Sequence, residues 1–118
     1  MTRRDLDLDH FRAQLQERLA EVERMETIEH EAARPVELDP QSIGHLSRMD
    51  ALQGQAIAAD TERRLRAEHQ RIVAALARIE SGEYGFCLSC EARIPAKRLD
   101  LDPAAAQCVK CAERHGHH

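Results

Sequence analysis

Between Arg3 and Ala33 the apolar residues Leu8, Phe11, Leu15, Leu19, Val22, Met25 and Ile28 recur at steps of three and four, with no Gly or Pro among them. Such steps return to one side of a 3.6-residue turn, so the segment is predicted to be a helix with one apolar face and one solvated face. Residues 34 to 41, Arg-Pro-Val-Glu-Leu-Asp-Pro-Gln, break the pattern. Each proline lacks an amide donor and biases its predecessor away from helix. Asp39 followed by Pro40 reads as the cap and first residue of a second helix, the carboxylate accepting free backbone N–H groups. That helix is predicted to run from about Pro40 to Ser81, with Leu65, Ile72 and Ile79 at heptad spacing, Leu76 between them, and Leu46, Met49, Ala56 and Ile57 earlier. Gly44 and Gly54 weaken it near its start, and Gly82 is the expected left-handed terminator.

A helix of this length spans on the order of 60 Å, and only another long helix can bury its apolar stripe. The first segment is that partner. The expected fold is therefore mainly α: an antiparallel helical hairpin, a coiled-coil arm, over residues 1–81 with its tip at about 34–41. A compact bundle of shorter helices broken at the two glycines is the alternative.

Composition supports helices over sheets. Hydrophobic residues make up 42% of the 118, but Phe11, Tyr84 and Phe86 are the only aromatic side chains and there is no Trp. The interior must be aliphatic, whereas strands draw on aromatic and β-branched residues. Seventeen basic against 21 acidic side chains give a net charge of −4, which argues against nucleic-acid or anionic-membrane binding through bulk charge. The first helical segment alone has five arginines and nine acidic residues, so the acidity concentrates there. No apolar run approaches the ~18 residues that span a bilayer, and the polar start has no hydrophobic leader core, so the cytoplasm is expected.

Residues 82–118 are a different kind of sequence, holding all four cysteines and little apolar periodicity. So short a segment cannot bury enough apolar area to offset its chain entropy and needs a staple. Cys87-Leu-Ser-Cys90 and Cys108-Val-Lys-Cys111, separated by 17 residues, supply four soft sulfur ligands on two tight turns, the donor set that tetrahedral zinc accepts. A zinc finger over 82–114, followed by a disordered tail at 115–118, is the expectation; disulfides, iron or redox use are the alternatives. A closed four-sulfur shell leaves no position for substrate, so the metal is expected to be structural. Arg93, Lys97, Arg98, Lys110 and Arg114 nearby either depress the thiol pKa values or are plain solvated surface.

No enzyme is indicated. His30-Glu31 opens like a zinc-protease helix, but Arg34 stands where the second His is needed. Ser42, Ser47, Ser81 and Ser89 lack a motif pairing one with a base, and no glycine-rich phosphate loop follows a strand. His10, His45 and His69 are expected on helix surfaces, and His115, His117 and His118 in the tail.

The cysteine spacing is that of GATA-type DNA-binding fingers. Those continue into a helix and a basic tail, whereas here seven residues follow Cys111, and residues 82–118 hold five basic and five acidic side chains. The run Ala75-Leu-Ala-Arg-Ile-Glu-Ser-Gly-Glu-Tyr-Gly-Phe-Cys87, with Ile94-Pro-Ala-Lys-Arg-Leu99, Pro103, Cys108 and Cys111, instead resembles the DksA/TraR family. The likeness is detailed over residues 65 to 114, and the chain looks like a short member without the C-terminal helix of longer ones. It implies a regulator that binds RNA polymerase rather than DNA, its arm entering the secondary channel so that the tip nears the active centre. The tip of longer members carries Asp-x-x-Asp-x-Ala; here Asp39 keeps the first acid, Ser42 replaces the second, and Asp50 lies eleven residues beyond Asp39. The family's alarmone site for guanosine tetraphosphate uses basic residues beside the finger. Arg71 matches one, but Asp102 and Ala112 stand where responsive members have Arg and Lys, so a weak or absent response is expected. Glu91 follows Cys90 where many relatives have Gly, a cost on the order of 1 kcal/mol if its backbone is left-handed. A DNA-binding finger and a thiol redox or zinc-buffering protein are the alternative functions.

Overall fold

The computed structural model describes residues 2–32 and 48–115. Four helices follow in order: α1 (Leu8–Ala32), α2 (Arg48–Ser81), α3 (Ala96–Leu101) and α4 (Val109–His115). The one β feature among the described residues is an isolated antiparallel bridge between Phe86 and Arg93. No helix among these residues is long and apolar enough to cross a membrane.

The two long helices form the expected antiparallel arm. The apolar stripes meet, with Phe11, Leu15 and Val22 of α1 and Leu65, Ile72, Ala75 and Ile79 of α2 all buried. Polar contacts along the edges fix the register: ion pairs of Arg12 with Glu80 at 3.2 Å and Arg18 with Glu68 at 2.6 Å, and a hydrogen bond between His69 Nδ1 and Glu26 at 2.6 Å. α2 passes through Gly54 without a break, so the bundle of shorter helices is not the fold.

The start of α1 departs from expectation. Helix begins at Leu8 rather than Arg3, because the Asp7 carboxylate accepts the backbone N–H of His10 at 3.2 Å and caps the first turn. Residues 2–7 are then free to cross to the finger, where Arg3 and Leu6 are buried. At the same end of the hairpin, α2 stops as predicted. Gly82 has φ +81°, its N–H reaches Ile79 O at 3.3 Å, and Glu83 N–H reaches Arg78 O at 2.9 Å, a Schellman termination. The predicted tip at 34–41 and the start of α2 near Pro40 lie outside the described residues, as do residues 116–118 of the tail; His115 ends α4.

Burial is uneven along the arm. Among the described residues, every fully covered seam residue lies between Phe11 and Val22 on α1 and between Leu65 and Ile79 on α2, the half nearest the finger. Farther out, Ile28 is 63% and Ile57 68% exposed. Among the described residues, His30 faces Glu62 across the hairpin, so α2 from Arg48 to about Ala59 extends roughly 18 Å beyond the level of Ala32. The finger continues the near core: Tyr84 packs against Phe11 with ring centroids 5.6 Å apart, and Ile94, Leu99, Ala104 and Ala105 complete the cluster.

Ile72→Ala, which opens a cavity in this covered half, is expected to cost about 2–5 kcal/mol. Ile57→Ala is expected to change stability by less than about 0.5 kcal/mol. Urea denaturation of the two variants checks the contrast, which vanishes if the seam is equally tight throughout.

Candidate metal centre

The first Cys pair sits on a tight hairpin. Gly85, with φ +92°, turns the chain out of the arm, and Ile94 N–H closes on Gly85 O at 2.8 Å. Inside that closure, Cys87 N–H reaches Ala92 O at 2.8 Å and Glu91 N–H reaches Cys87 O at 2.9 Å, which curls Cys87 and Cys90 onto one side of the loop. The second pair is built differently: Cys108 precedes α4 and Cys111 lies one turn inside it, with Ala112 N–H donating to Cys108 O at 2.9 Å. The two halves are tied by Leu88 N–H to Ala106 O at 2.9 Å and by the Gln107 amide to the Ser89 hydroxyl at 2.9 Å. Tyr84 buttresses the connection, donating its hydroxyl to Pro103 O at 2.7 Å.

The four sulfurs of Cys87, Cys90, Cys108 and Cys111 all lie within 4.8 Å of one another. They are free thiols, with Cys90 Sγ and Cys108 Sγ 3.7 Å apart. A disulfide holds its sulfurs about 2.0 Å apart, whereas a tetrahedral site with Zn–S bonds of about 2.3 Å sets them about 3.8 Å apart. The spacing fits the metal.

Protonation points the same way. Burial pushes the Cys87 thiol up, but the backbone N–H groups of Cys108, Cys90 and Ser89 outweigh it and bring it down to about 6. The Cys111 N–H lowers Cys108. Contacts with the thiols of Cys108 and Cys87, followed by burial, push Cys111 up to about 12. Left to themselves, the sulfurs cannot all ionise, since each thiolate resists the next; a divalent cation reverses that balance. Backbone amides, not the nearby Lys and Arg side chains, are the chief lowering influence on Cys87 and Cys108; half-buried Arg98 instead donates to Gln107 O at 3.0 Å. The four cysteines are thus a C4 zinc site, and all four ligand positions come from protein.

The other residues singled out in the sequence do not join this centre. Asp39 and Ser42 lie outside the described residues, and Asp50 is on α2 within its first turn. Arg71 is at the finger end of α2, where it pairs with Asp102 at 2.7 Å. Glu91 has φ +64°, the left-handed backbone anticipated for that position. Arg3 and Asp5 were not anticipated: Arg3 is 5% exposed and bonded to the finger backbone, with Asp5 as its counterion at 2.7 Å. Its partners are 82 and 91 positions away, beyond the reach of any local pattern.

Two outcomes are expected. Glu91→Gly relieves the left-handed backbone and raises the stability of the metal-loaded finger by about 1 kcal/mol, measured by thermal unfolding beside Glu91→Ala, which does not. Cys90→Ser removes one ligand and drops bound zinc, measured by elemental analysis, well below one ion per chain while the arm keeps its helical circular dichroism.

Comparison with known proteins agrees with this geometry. Residues 82–117 match the prokaryotic dksA/traR C4-type zinc-finger family. An uncharacterized protein of Aquifex aeolicus (strain VF5) is 49% identical over 39 residues, which span 33% of this chain and 27% of that protein's length. The fold is similar to that of the transcription factor DksA2 from Pseudomonas aeruginosa, with a TM-score of 0.72 and 23% identity over 91% of this chain and 81% of that one. Residues 82–117 thus carry a C4 zinc finger of the dksA/traR type, set at the foot of a helical arm whose fold is similar to that of DksA2.

Proposed function

We propose that the protein is a zinc-binding transcription regulator that binds RNA polymerase, its arm entering the secondary channel. The observation that supports this most is the joining of a DksA/TraR finger to a long, thin, acidic arm, in a body measuring 63 × 29 × 20 Å. α1 contributes Glu17, Glu21, Glu23, Glu26, Glu29 and Glu31 along its length. A narrow rod of that sign is repelled by a DNA groove and suits a passage that ends at a bound divalent cation. The residues proposed to meet the partner are Asp39, Ser42 and Asp50, at and beyond the hairpin tip. With one acid at the first tip position and Ser42 at the second, the tip has less charge with which to attract a metal than a paired-acid tip.

A weak or absent alarmone response belongs to the same proposal. Arg71 is the basic residue that matches the alarmone site, and it is already paired with Asp102. An incoming polyphosphate meets a carboxylate there, and Ala112 offers it no charge. Zinc holds the foot of the arm and takes no part in chemistry; no enzymatic step is proposed.

Zinc-loaded protein is expected to form a complex with purified RNA polymerase at micromolar concentration or tighter, read by fluorescence anisotropy. Asp39→Asn is expected to weaken its effect on transcription more than its binding, because the tip is proposed to act at the active centre while the arm and finger supply the contact area. Absence of a complex, or tight binding to duplex DNA that falls steeply with salt, contradicts the proposal and favours a DNA-binding finger.

A further inference from the structure

The N-terminal residues 2–6 lie across the two glycines that open the finger. A Cβ at Gly82 would stand 2.7 Å from Thr2 Oγ1, and a Cβ at Gly85 would stand 2.7 Å from Arg3 Cδ and 2.9 Å from Leu6 Cδ1. Both glycines therefore serve twice, once for a positive φ and once for bare backbone on which another segment can lie.

Arg3 is the centre of that contact. Its guanidinium is buried, and Nη1 donates to Gly85 O at 2.9 Å and to Ile94 O. Nε and Nη2 turn the other way and hold the Asp5 carboxylate at 3.2 and 2.7 Å. The fork thus spans two backbone carbonyls and its own counterion, a geometry that a point-charge ammonium cannot reproduce.

The two carbonyls sit at the root of the first cysteine hairpin. Gly85 O also accepts Ile94 N–H, and the Phe86–Arg93 bridge lies one residue in from that pair. Cys87 follows directly, its N–H held by Ala92 O. Arg3 clamps both strands of this hairpin two residues before the first sulfur, while Asp7, four residues after Arg3, caps α1. A single short segment therefore ties the hairpin to the arm.

We propose that Arg3 is a positioning residue for the metal centre: by pinning Gly85 O and Ile94 O it presets the Cys87–Cys90 turn for the ion. By linkage, the ion in turn strengthens docking of residues 2–6, because an ordered hairpin presents both carbonyls at once. The inference stands on the four-sulfur site and does not depend on polymerase binding.

Zinc affinity, read by competition with a chromophoric chelator, and trypsin cleavage after Arg4 test it together on the full chain. Arg3→Met is expected to lower zinc affinity about 10–100-fold, as loss of a residue supporting metal ligands does. Arg3→Lys, which keeps the charge, is expected to recover less than half of that loss on a logarithmic scale. Arg63→Gln, which removes an equal charge from an exposed pair with Asp60 on the arm, is expected to leave affinity unchanged. In the wild type, cleavage after Arg4 is slow with zinc and fast after chelation; in Arg3→Met it is fast in both states. Far-UV circular dichroism of the arm verifies that each variant is folded. An Arg3→Met protein that binds zinc as tightly as wild type overturns the proposal, as does full rescue by lysine or cleavage after Arg4 that ignores zinc.

Discussion

Four sulfurs held within 4.8 Å of one another cannot all carry charge without a cation among them, and much of the molecule is arranged around that constraint. Amides around Cys87 and Cys108 favour thiolate, while the crowding of thiols at Cys111 opposes it. A metal ion resolves the conflict and fixes two turns that otherwise have few apolar contacts to hold them. Once fixed, they bring Ile94, Leu99, Ala104 and Ala105 against Tyr84, and Tyr84 against Phe11, so the finger and the near half of the arm share one core. The ion also does what a small apolar interior cannot, since a segment of this size has too little area to bury.

The arm shows the complementary economy. Its near half is a closed seam, and its far half leaves Ile28, Leu52 and Ile57 in water. Edge ion pairs such as Arg18–Glu68 and Arg12–Glu80 set register more than they add stability, being partly exposed. Stability is thus concentrated at the foot and declines along the described part of the arm.

The parts of this arrangement that the sequence made legible are those written in local spacing. The step of three and four in Leu8 to Ile28, the heptads of Leu65 to Ile79, the stop at Gly82 and the paired CxxC turns each involve residues within a turn or two of one another. The strain at Glu91 was signalled by the family resemblance rather than by spacing, since many relatives have Gly at that position, and its backbone is left-handed at φ +64°. Arg3 was absorbed into the first helix instead, since its charge fits a helical surface as well as a strap. Its role depends on carbonyls more than eighty positions away, and a backbone carbonyl has no identity in a sequence. The pairing of Arg71 with Asp102 was hidden for the same reason: the sequence marked both residues but not their contact.

Hydrogen exchange, followed by mass spectrometry on metal-loaded and chelator-treated protein, tests the central claim most directly. If the ion organises the foot, its removal brings the amides of residues 82–111 to the exchange rates of unfolded chain, while those of α1 and α2 around Val22 and Leu65 stay protected. Persistent protection of Cys87 to Ala92 and of Ala112 after chelation would contradict it, because the finger would then be holding itself together without the metal.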